Sequence, residues 1–298
     1  MRIPNSFIAD SLVSRLQKLT TSQANLQAQV SSGQRITSAS DDPAAMAHVL
    51  DLQTEQQKVQ QWARNGDRAL GVSQATYSAV KDLKGISDRA GELSVLGVGA
   101  NGPDAYRAYS TETNALIEQA LQVANTQYAG QQLFGGTQTD TAPFTATRDA
   151  SGNITAVSYT GTAAAAEFRV SEGTTLSPQT DGATNQKFAD FLNNLVSLRD
   201  ALKTQSTPGV QAAQTGLHNS ETDIVTTIGD IGATQTRLES SKAMNGSRFT
   251  ELQQATSSET DVDLAQTVVK LTQAQTAYQA ALQSGAQILQ HSLLDYIR

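Results

Sequence analysis

The sequence predicts a mainly α protein: a long-helix bundle built from both chain ends, with a small β-rich domain inserted in the middle. Apolar residues recur at helical spacing over most of the chain. The two ends carry the same apolar repeat. Between about residues 135 and 182 the helical period disappears, and Gly, Thr, Pro and Ser separate short runs that are typical of strands.

Both chain ends show the spacing of a heptad seam, in which apolar residues alternate at intervals of four and three. The N-terminal seam runs through Leu12, Leu16, Leu19, Gln23, Leu26 and Val30. The C-terminal seam runs through Leu264, Val268, Leu271, Gln275, Tyr278, Leu282, Gly285 and Leu289. Because the stripes match in spacing and length, we expect the two terminal helices to pack against each other.

The segments between the two ends predict four more helices and one hairpin. The helices are expected over Pro43–Leu96, Pro103–Gln131, Lys187–Thr204 and Gln211–Thr256. Gly and Asn tolerate positive φ, so 151–153 predicts a hairpin turn between strands at 145–148 and 154–157. The expected domains are a terminal coiled coil (1–40 plus 260–298), a helical body (41–135 plus 184–259) and a β-rich insert (136–183).

Composition excludes several classes of function. The net charge of −7 and the pI near 5.0 argue against nucleic-acid binding, which requires clustered Lys and Arg. The chain contains no Cys, which excludes disulfides and thiol nucleophiles. No apolar run approaches the roughly 20 residues of a membrane span, and the N-terminal residues lack the apolar core of a secretory signal.

The acidic residues near helix starts are interpreted as caps. Asp42 fits the N-cap, and Pro43 fits the first helical position, where its missing N–H costs nothing. Glu259, Asp261 and Asp263 are placed at the opening of the C-terminal helix, whose positive end they would favour, with Asp261 taken as a cap. Because capping explains these acids, the sequence predicts no metal site, and it predicts no catalytic or cofactor-binding residue.

Apolar residues outside the seams indicate packing between copies of the chain. A two-helix pair buries one stripe on each helix, whereas residues such as Phe7, Ile8 and Leu294 lie outside the stripes. We therefore expect a homo-oligomer held by the terminal helices. The predicted assembly residues are Phe7, Ile8, Leu12, Leu16, Leu19, Leu26, Val30, Leu264, Val268, Leu271, Tyr278, Leu282, Leu289, Leu293, Leu294 and Tyr296.

Four passages resemble the flagellin family. They are Ile3 to Ser6, Ser31-Ser32-Gly33-Gln34-Arg35-Ile36, Ser40-Asp41-Asp42-Pro43 and Asp261-Val262-Asp263-Leu264-Ala265. Two further passages, Tyr128 to Thr137 followed by Pro143-Phe144, and Ser292 to Ile297, resemble the hook-filament junction branch of that family more than the filament subunits. The resemblance spans nearly the whole chain.

The resemblance implies a secreted, non-enzymatic subunit of the bacterial flagellum, located at the hook-filament junction. It further implies export through the flagellar type III apparatus, an export chaperone, and contacts with the first hook-associated protein below and flagellin above. Two alternatives remain open at this point: a short flagellin that forms the filament itself, and an extracellular hydrolase in the central insert. Against the hydrolase, Asp140, Asp149, Glu167, Glu172 and Asp181 show no diagnostic arrangement of catalytic acids.

Overall fold

Over the residues that it describes, a computed structural model of the chain has six helices and three small antiparallel sheets. It describes residues 5–99 and 102–296, with side chains described over 10–99 and 102–287. The helices are α1 (Asn5–Ser32), α2 (Pro43–Val98), α3 (Pro103–Ala124), α4 (Gly182–Lys203), α5 (Thr207–Thr260) and α6 (Leu264–Tyr296). The strands are β1 (Gln127–Tyr128), β2 (Gln131–Gln132), β3 (Phe144–Arg148), β4 (Ile154–Tyr159), β5 (Phe168–Ser171) and β6 (Thr174–Leu176). The predicted fold class is confirmed.

Two compact units divide the chain. The terminal unit combines residues 1–57 with 249–298, and the central unit is the continuous stretch 58–248. All six strands belong to the central unit. The predicted division into three domains draws different boundaries and stays a prediction.

The helix predicted from Pro103 to Gln131 is too long, because α3 ends at Ala124. The Asn125 side chain turns away from the helix. Its Nδ2 donates to the Phe144 carbonyl at 3.0 Å, and its Oδ1 accepts from the Phe144 N–H at 3.0 Å. Ala129 and Gly130 then adopt positive φ values of 50° and 78°, which makes the tight turn between β1 and β2.

The core of the central unit lies between α2, α3, α4, α5 and the β3–β4 hairpin. Phe134 is fully buried, with its ring edge-to-face against Phe188 at 5.5 Å and against Phe144 at 6.5 Å between centroids. Asn185 is also fully buried, and its Nδ2 donates to the Phe134 carbonyl at 2.9 Å. A buried amide with these partners fixes the start of α4 against the chain that leads into the β segment.

The β3–β4 hairpin confirms the predicted turn at residues 151–153. Gly152 has φ 84°, and the Asp149 carboxylate accepts hydrogen bonds from the Ser151 and Asn153 N–H groups at 2.8 and 2.9 Å. A hydrogen bond from the Asn153 side chain, together with these two backbone bonds, holds the pKa of Asp149 below its ordinary value. On the neighbouring helix α4, Asn193 pairs with both the N–H and the carbonyl of Val157, each at 2.9 Å.

The β5–β6 hairpin packs separately on α2 and α5. Val170 is fully buried in a small cluster with Ala69 and Leu238. Its carbonyl accepts hydrogen bonds from Ser241 Oγ at 3.1 Å and from Asn245 Nδ2 at 2.9 Å. The two long helices are antiparallel in this unit and are further joined by ion pairs, Lys84–Glu221 and Asp67–Lys242.

Candidate assembly surface

The α1 side of the terminal pair is buried as the heptad spacing predicts. Leu12, Leu16, Leu19, Gln23, Leu26 and Val30 are all partly buried, and most residues between them are exposed. The partner helix is α6. The two helices are antiparallel, since Leu12 lies against Gly285 near one end while Gly33 is hydrogen-bonded to Val262 near the other.

On α6 the seam that faces α1 differs from the predicted one. The buried and partly buried positions are Thr267, Leu271, Ala274, Tyr278, Ala281 and Gly285. Leu271, Tyr278 and Gly285 were predicted, but the other positions are small residues that interleave with the predicted leucine and valine positions. Small side chains let the leucines of α1 approach closely: a Cβ added at Gly285 would lie 2.5 Å from Leu12 Cδ2.

Three of the predicted seam positions are left out of the observed seam and form an exposed row along its flank. Leu264, Val268 and Leu282 are 50%, 47% and 46% exposed. The predicted pairing stripe therefore separates into two stripes, one that contacts α1 and one that faces solvent in the single chain. We call Leu264, Val268 and Leu282 the exposed row; an apolar row of this kind, next to a packed seam, is typical of a protein-protein contact.

Six predicted assembly residues lie outside the residues whose side chains the structure describes. They are Phe7, Ile8, Leu289, Leu293, Leu294 and Tyr296. Their role in assembly stays a prediction.

Two chain connections meet beside the terminal pair, one from α1 to α2 and one from α5 to α6. Gln34 and Asp261 form an antiparallel bridge. The Arg35 N–H donates to the Thr260 carbonyl at 2.6 Å, and the Val262 N–H donates to the Gly33 carbonyl at 3.0 Å. Gly33 ends α1 with φ 70°, a left-handed value that glycine adopts without strain. We call residues 33–42 and 260–263 together the joint.

Side chains of the joint add a chain of ionic contacts. The Arg35 guanidinium donates to Asp42 Oδ2 at 3.3 Å and to the Glu259 carbonyl at 2.9 Å. The Glu259 carboxylate in turn lies 3.2 Å from His48 Nδ1. Arg35, Asp42 and Glu259 all keep more than a third of their side-chain surface exposed, so the individual ion pairs are partly screened by solvent.

The predicted cap of α2 is present. Asp42 Oδ1 accepts from the Ala45 N–H at 3.1 Å, and Pro43 is the first residue of the helix. The Ala45 N–H is the main cause of a lowered pKa at Asp42, with Arg35 next. The pKa of Asp41 is lowered as well, chiefly by the N–H groups of Ser38 and Thr37.

The predicted cap of α6 is wrong by two residues. Asp263, not Asp261, caps this helix, because Asp263 Oδ1 accepts from the Gln266 N–H at 3.1 Å. The Asp261 carboxylate instead accepts from the hydroxyls of Ser257 and Thr260, which lower its pKa. Glu259 does not open α6 either, since it lies in the last turn of α5.

Two acids of the β segment serve the local fold. Asp149 holds the hairpin turn, and Asp181 caps α4 by accepting from the Thr184 N–H at 2.8 Å. Within the described ranges, no three His, Asp or Glu side chains are grouped so as to hold a metal ion. Among the same described residues, no helix is both long enough and apolar enough to span a membrane.

Arg35 and the small-residue seam of α6 are the features that the sequence reasoning missed. The sequence motif around Arg35 does not reveal its contact, because its partner Glu259 lies 224 positions away. The small-residue seam does leave a signal in the sequence. Thr267, Ala274, Ala281 and Gly285 follow heptad spacing on the side of α6 that is adjacent to the leucines.

Comparison with known proteins agrees with this architecture. The family described as the bacterial flagellin N-terminal helical region matches residues 3–139. Flagellar hook-associated protein 3 of Escherichia coli K12 is 24% identical over 291 residues, which cover 89% of this chain and 91% of the relative.

Two solved structures share the fold. A flagellar hook-associated protein from Vibrio parahaemolyticus superposes with a TM-score of 0.66 at 18% identity, over 74% of this chain and 100% of that one. The flagellar junction protein FlgL from Legionella pneumophila superposes with a TM-score of 0.53 at 12% identity, over 72% of this chain and 100% of that one. The chain is therefore similar to the bacterial flagellin N-terminal helical region over residues 3–139 and to hook-associated protein 3 over nearly its full length.

Proposed function

We propose that the chain is a structural, non-enzymatic subunit of the bacterial flagellum that assembles at the hook-filament junction. Copies of the chain form a helical ring or tube, with the first hook-associated protein below and flagellin above. The similarity to hook-associated protein 3 covers 89% of the chain, whereas the similarity to flagellin C of Vibrio cholerae covers 41%. This difference favours the junction over a short flagellin that forms the filament itself.

The observation that carries the assembly role is the exposed row on α6. Leu264, Val268 and Leu282 keep about half of their surface exposed although α6 already packs on α1. A helix that needed only one partner would need only one apolar stripe. A neighbouring copy or an adjoining flagellar subunit covers the second stripe, and burial of each such side chain contributes about 1–2 kcal/mol to association.

The proposal also places the protein outside the cell. The chain leaves through the flagellar export apparatus, held beforehand by an export chaperone. It contains no Cys, so its fold does not depend on disulfide formation after export. Its negative net charge and the absence of a basic cluster fit protein partners and not nucleic acid.

A deletion and complementation experiment tests the proposed function. Loss of the protein in its host should leave hooks without filaments and flagellin monomers in the medium, and the parent chain should restore filaments. The Val268→Asp and Leu282→Asp double variant should fail to restore them, since it places two carboxylates in the contact.

The matched control introduces the same charges on the opposite side of α6. Gln273 and Ala280 are exposed and lie away from both the seam and the exposed row. Gln273→Asp with Ala280→Asp should restore filaments. Normal filaments in the deletion strain would overturn the junction assignment, and normal filaments with the Val268 and Leu282 variant would remove the exposed row from the assembly surface.

A further inference from the structure

A groove in the central unit is lined only by polar side chains. It lies between residues 110–114 of α3, residues 149–155 of the β3–β4 hairpin and residues 199–203 of α4, and we call it the polar groove. Its volume of about 390 Å³ is within the range of small-molecule sites. Such sites are usually mainly apolar, so a groove of this size with a wholly polar lining selects for a polar ligand.

Arg199 holds the three sides of the polar groove together. Its side chain keeps only 8% of its surface exposed. Its Nη1 donates to Asn114 Oδ1 at 3.1 Å and to the Ile154 carbonyl at 2.6 Å, and its Nε donates to Asp200 Oδ1 at 2.8 Å. One buried guanidinium therefore connects α3, α4 and β4. A site that is formed before the ligand arrives loses little binding free energy to the ordering of its side chains.

The charges around the polar groove are balanced. Arg199 pairs with Asp200, with 2.7 Å between Nη2 and Oδ1. Lys203 makes no ion pair in the part of the chain that the structure describes, but its charge acts on Asp149. Hydrogen bonds from Asn153 are the main cause of the lowered pKa of Asp149, and the charge of Lys203 lowers this pKa further. Two cations and two anions thus line the groove, so a charged ligand is attracted by one pair and repelled by the other.

The hydroxyl groups of the polar groove face a ligand as acceptors. Ser110, Thr111 and Thr155 each donate their hydroxyl proton to a main-chain carbonyl, at 3.0, 2.9 and 3.1 Å. A hydroxyl has one proton, so only its lone pairs remain for a ligand. Donors come from the Lys203 ammonium and from Asn114 Nδ2, the oxygen of this amide being bonded to the buried guanidinium. A matching ligand carries groups that both donate and accept and has no net charge, which describes the hydroxyl groups of sugars.

A second groove continues the polar groove along α3. It has a volume of about 440 Å³ and shares Thr111 with the polar groove. Its lining includes Pro103 and Tyr106, whose ring carbons can contact the apolar C–H face of a sugar ring. From Pro103 to Asn114 the helix rises about 16 Å, which exceeds the size of one sugar ring. The two grooves together therefore have room for more than one sugar unit.

We infer that the polar groove and its continuation along α3 bind an uncharged oligosaccharide, with Lys203 and Thr111 in direct contact with it. The site lies in the central unit, so the inference goes beyond the proposed role of the terminal helices. It concerns binding and not hydrolysis, because glycoside hydrolysis needs a carboxyl group that holds a proton. Asp149 stays ionised because its pKa is lowered, and Asp200 is paired with Arg199.

Saturation-transfer difference NMR with the purified full-length chain measures this binding. The neutral probes are three trisaccharides with different linkages or substituents, maltotriose, cellotriose and tri-N-acetylchitotriose, and the charged probes are citrate and spermidine. We expect at least one neutral trisaccharide to bind with a Kd on the order of 1 mM, because its hydrogen bonds replace bonds to water. Citrate and spermidine should bind at least tenfold more weakly. Absence of binding by all three trisaccharides, or tighter binding of a charged probe, would reject the inference.

Two variants test whether the sugar occupies this groove. Lys203→Met removes the ammonium group, and Thr111→Val removes a hydroxyl and keeps the shape of the side chain. Both residues are exposed, and neither group bonds to another helix or strand in the described part of the chain. Lys203→Met should weaken binding at least tenfold and Thr111→Val about threefold, since a hydrogen bond from a charged group is the stronger one. Parent-like affinity in both variants would remove the groove as the binding site.

The matched controls are Lys187→Met and Thr222→Val. Lys187 is exposed on α4 outside the groove, and Thr222 on α5 donates its hydroxyl proton to a main-chain carbonyl at 3.1 Å, as Thr111 does. Both controls should keep the parent affinity, with the same far-UV circular dichroism in all four variants. Equal weakening in the controls would show a general effect of the substitutions and would contradict the assignment. The measurement uses the isolated chain, so its result is independent of filament formation in the deletion strain.

Discussion

The contact between Leu12 and Gly285 allows a prediction whose sign depends on the background in which it is measured. In an exposed helix, Gly→Ala stabilises by about 1 kcal/mol through backbone entropy. At residue 285 the new methyl would stand 2.5 Å from Leu12 Cδ2. Crowding of this kind costs about 1–3 kcal/mol when the neighbour must shift. Gly285→Ala should therefore change the stability of the α1–α6 pair by between about 0 and 2 kcal/mol in the destabilising direction.

Removal of the leucine side chain should reverse that sign. In a Leu12→Ala background the leucine side chain is gone and the methyl at residue 285 is not crowded by it. The higher helix propensity of Ala than of Gly then remains, and it stabilises the helix by about 1 kcal/mol. The coupling energy of the double-mutant cycle is then about 1–3 kcal/mol. Native-state hydrogen exchange of the α6 amides between residues 267 and 285 measures all four variants. If Gly285→Ala gives the same effect in both backgrounds, Leu12 does not pack into the space at Gly285.

Three other predictions concern polar groups. Asn185→Leu should lower the free energy of unfolding of the central unit by about 2–5 kcal/mol in urea denaturation, because the Phe134 carbonyl and the Thr180 hydroxyl lose their buried partner; a change below about 1 kcal/mol would contradict the assignment. Asp263→Ala should cost α6 about 1 kcal/mol as a lost cap, whereas Asp261→Ala should have a smaller effect, as measured by helix hydrogen exchange. The folded pKa values of Asp41 and Asp42 are lowered from 3.8, so the stabilisation from these carboxylates is present above pH 3.8 and is lost as the pH falls through the lowered values. The amide proton chemical shifts of Ser38 and Ala45 should therefore titrate with a midpoint below pH 3.8. A midpoint above pH 3.8 would contradict the hydrogen bonds.

Local signals were sufficient to predict those elements whose causes lie close together in the sequence. Asp42 and Pro43 mark the start of α2, and Gly152 with its neighbours marks the β3–β4 turn, because each signal acts within a few residues. The end of α3 escaped prediction for the opposite reason. Asn125 leaves the helix to bond Phe144, which lies 19 positions further on and carries no local signature of that partner.

The assembly surface was predicted in composition but not in orientation. Two interleaved stripes on α6 share Leu271, Tyr278 and Gly285, so spacing alone does not say which of them packs on α1. The shape of the partner decides: Leu12 of α1 fills the space at Gly285, and the larger side chains of α6 remain on the flank. Arg35 lies in a recognisable sequence motif, yet its contact is with the end of α5, which only the folded chain brings near.

The pairing of α1 with α6 also governs the order in which the protein can form. Arg35 and Glu259 are 224 positions apart, and the helices they connect lie further still from each other along the chain. The entropy cost of closing so long a loop grows only slowly with its length, but the closure must wait until both segments exist in the same compartment. The central unit is one continuous stretch and has no such requirement. During synthesis, and again during any passage in extended form, the leucines of α1 therefore remain without their partner for longer than any buried side chain of residues 58–248.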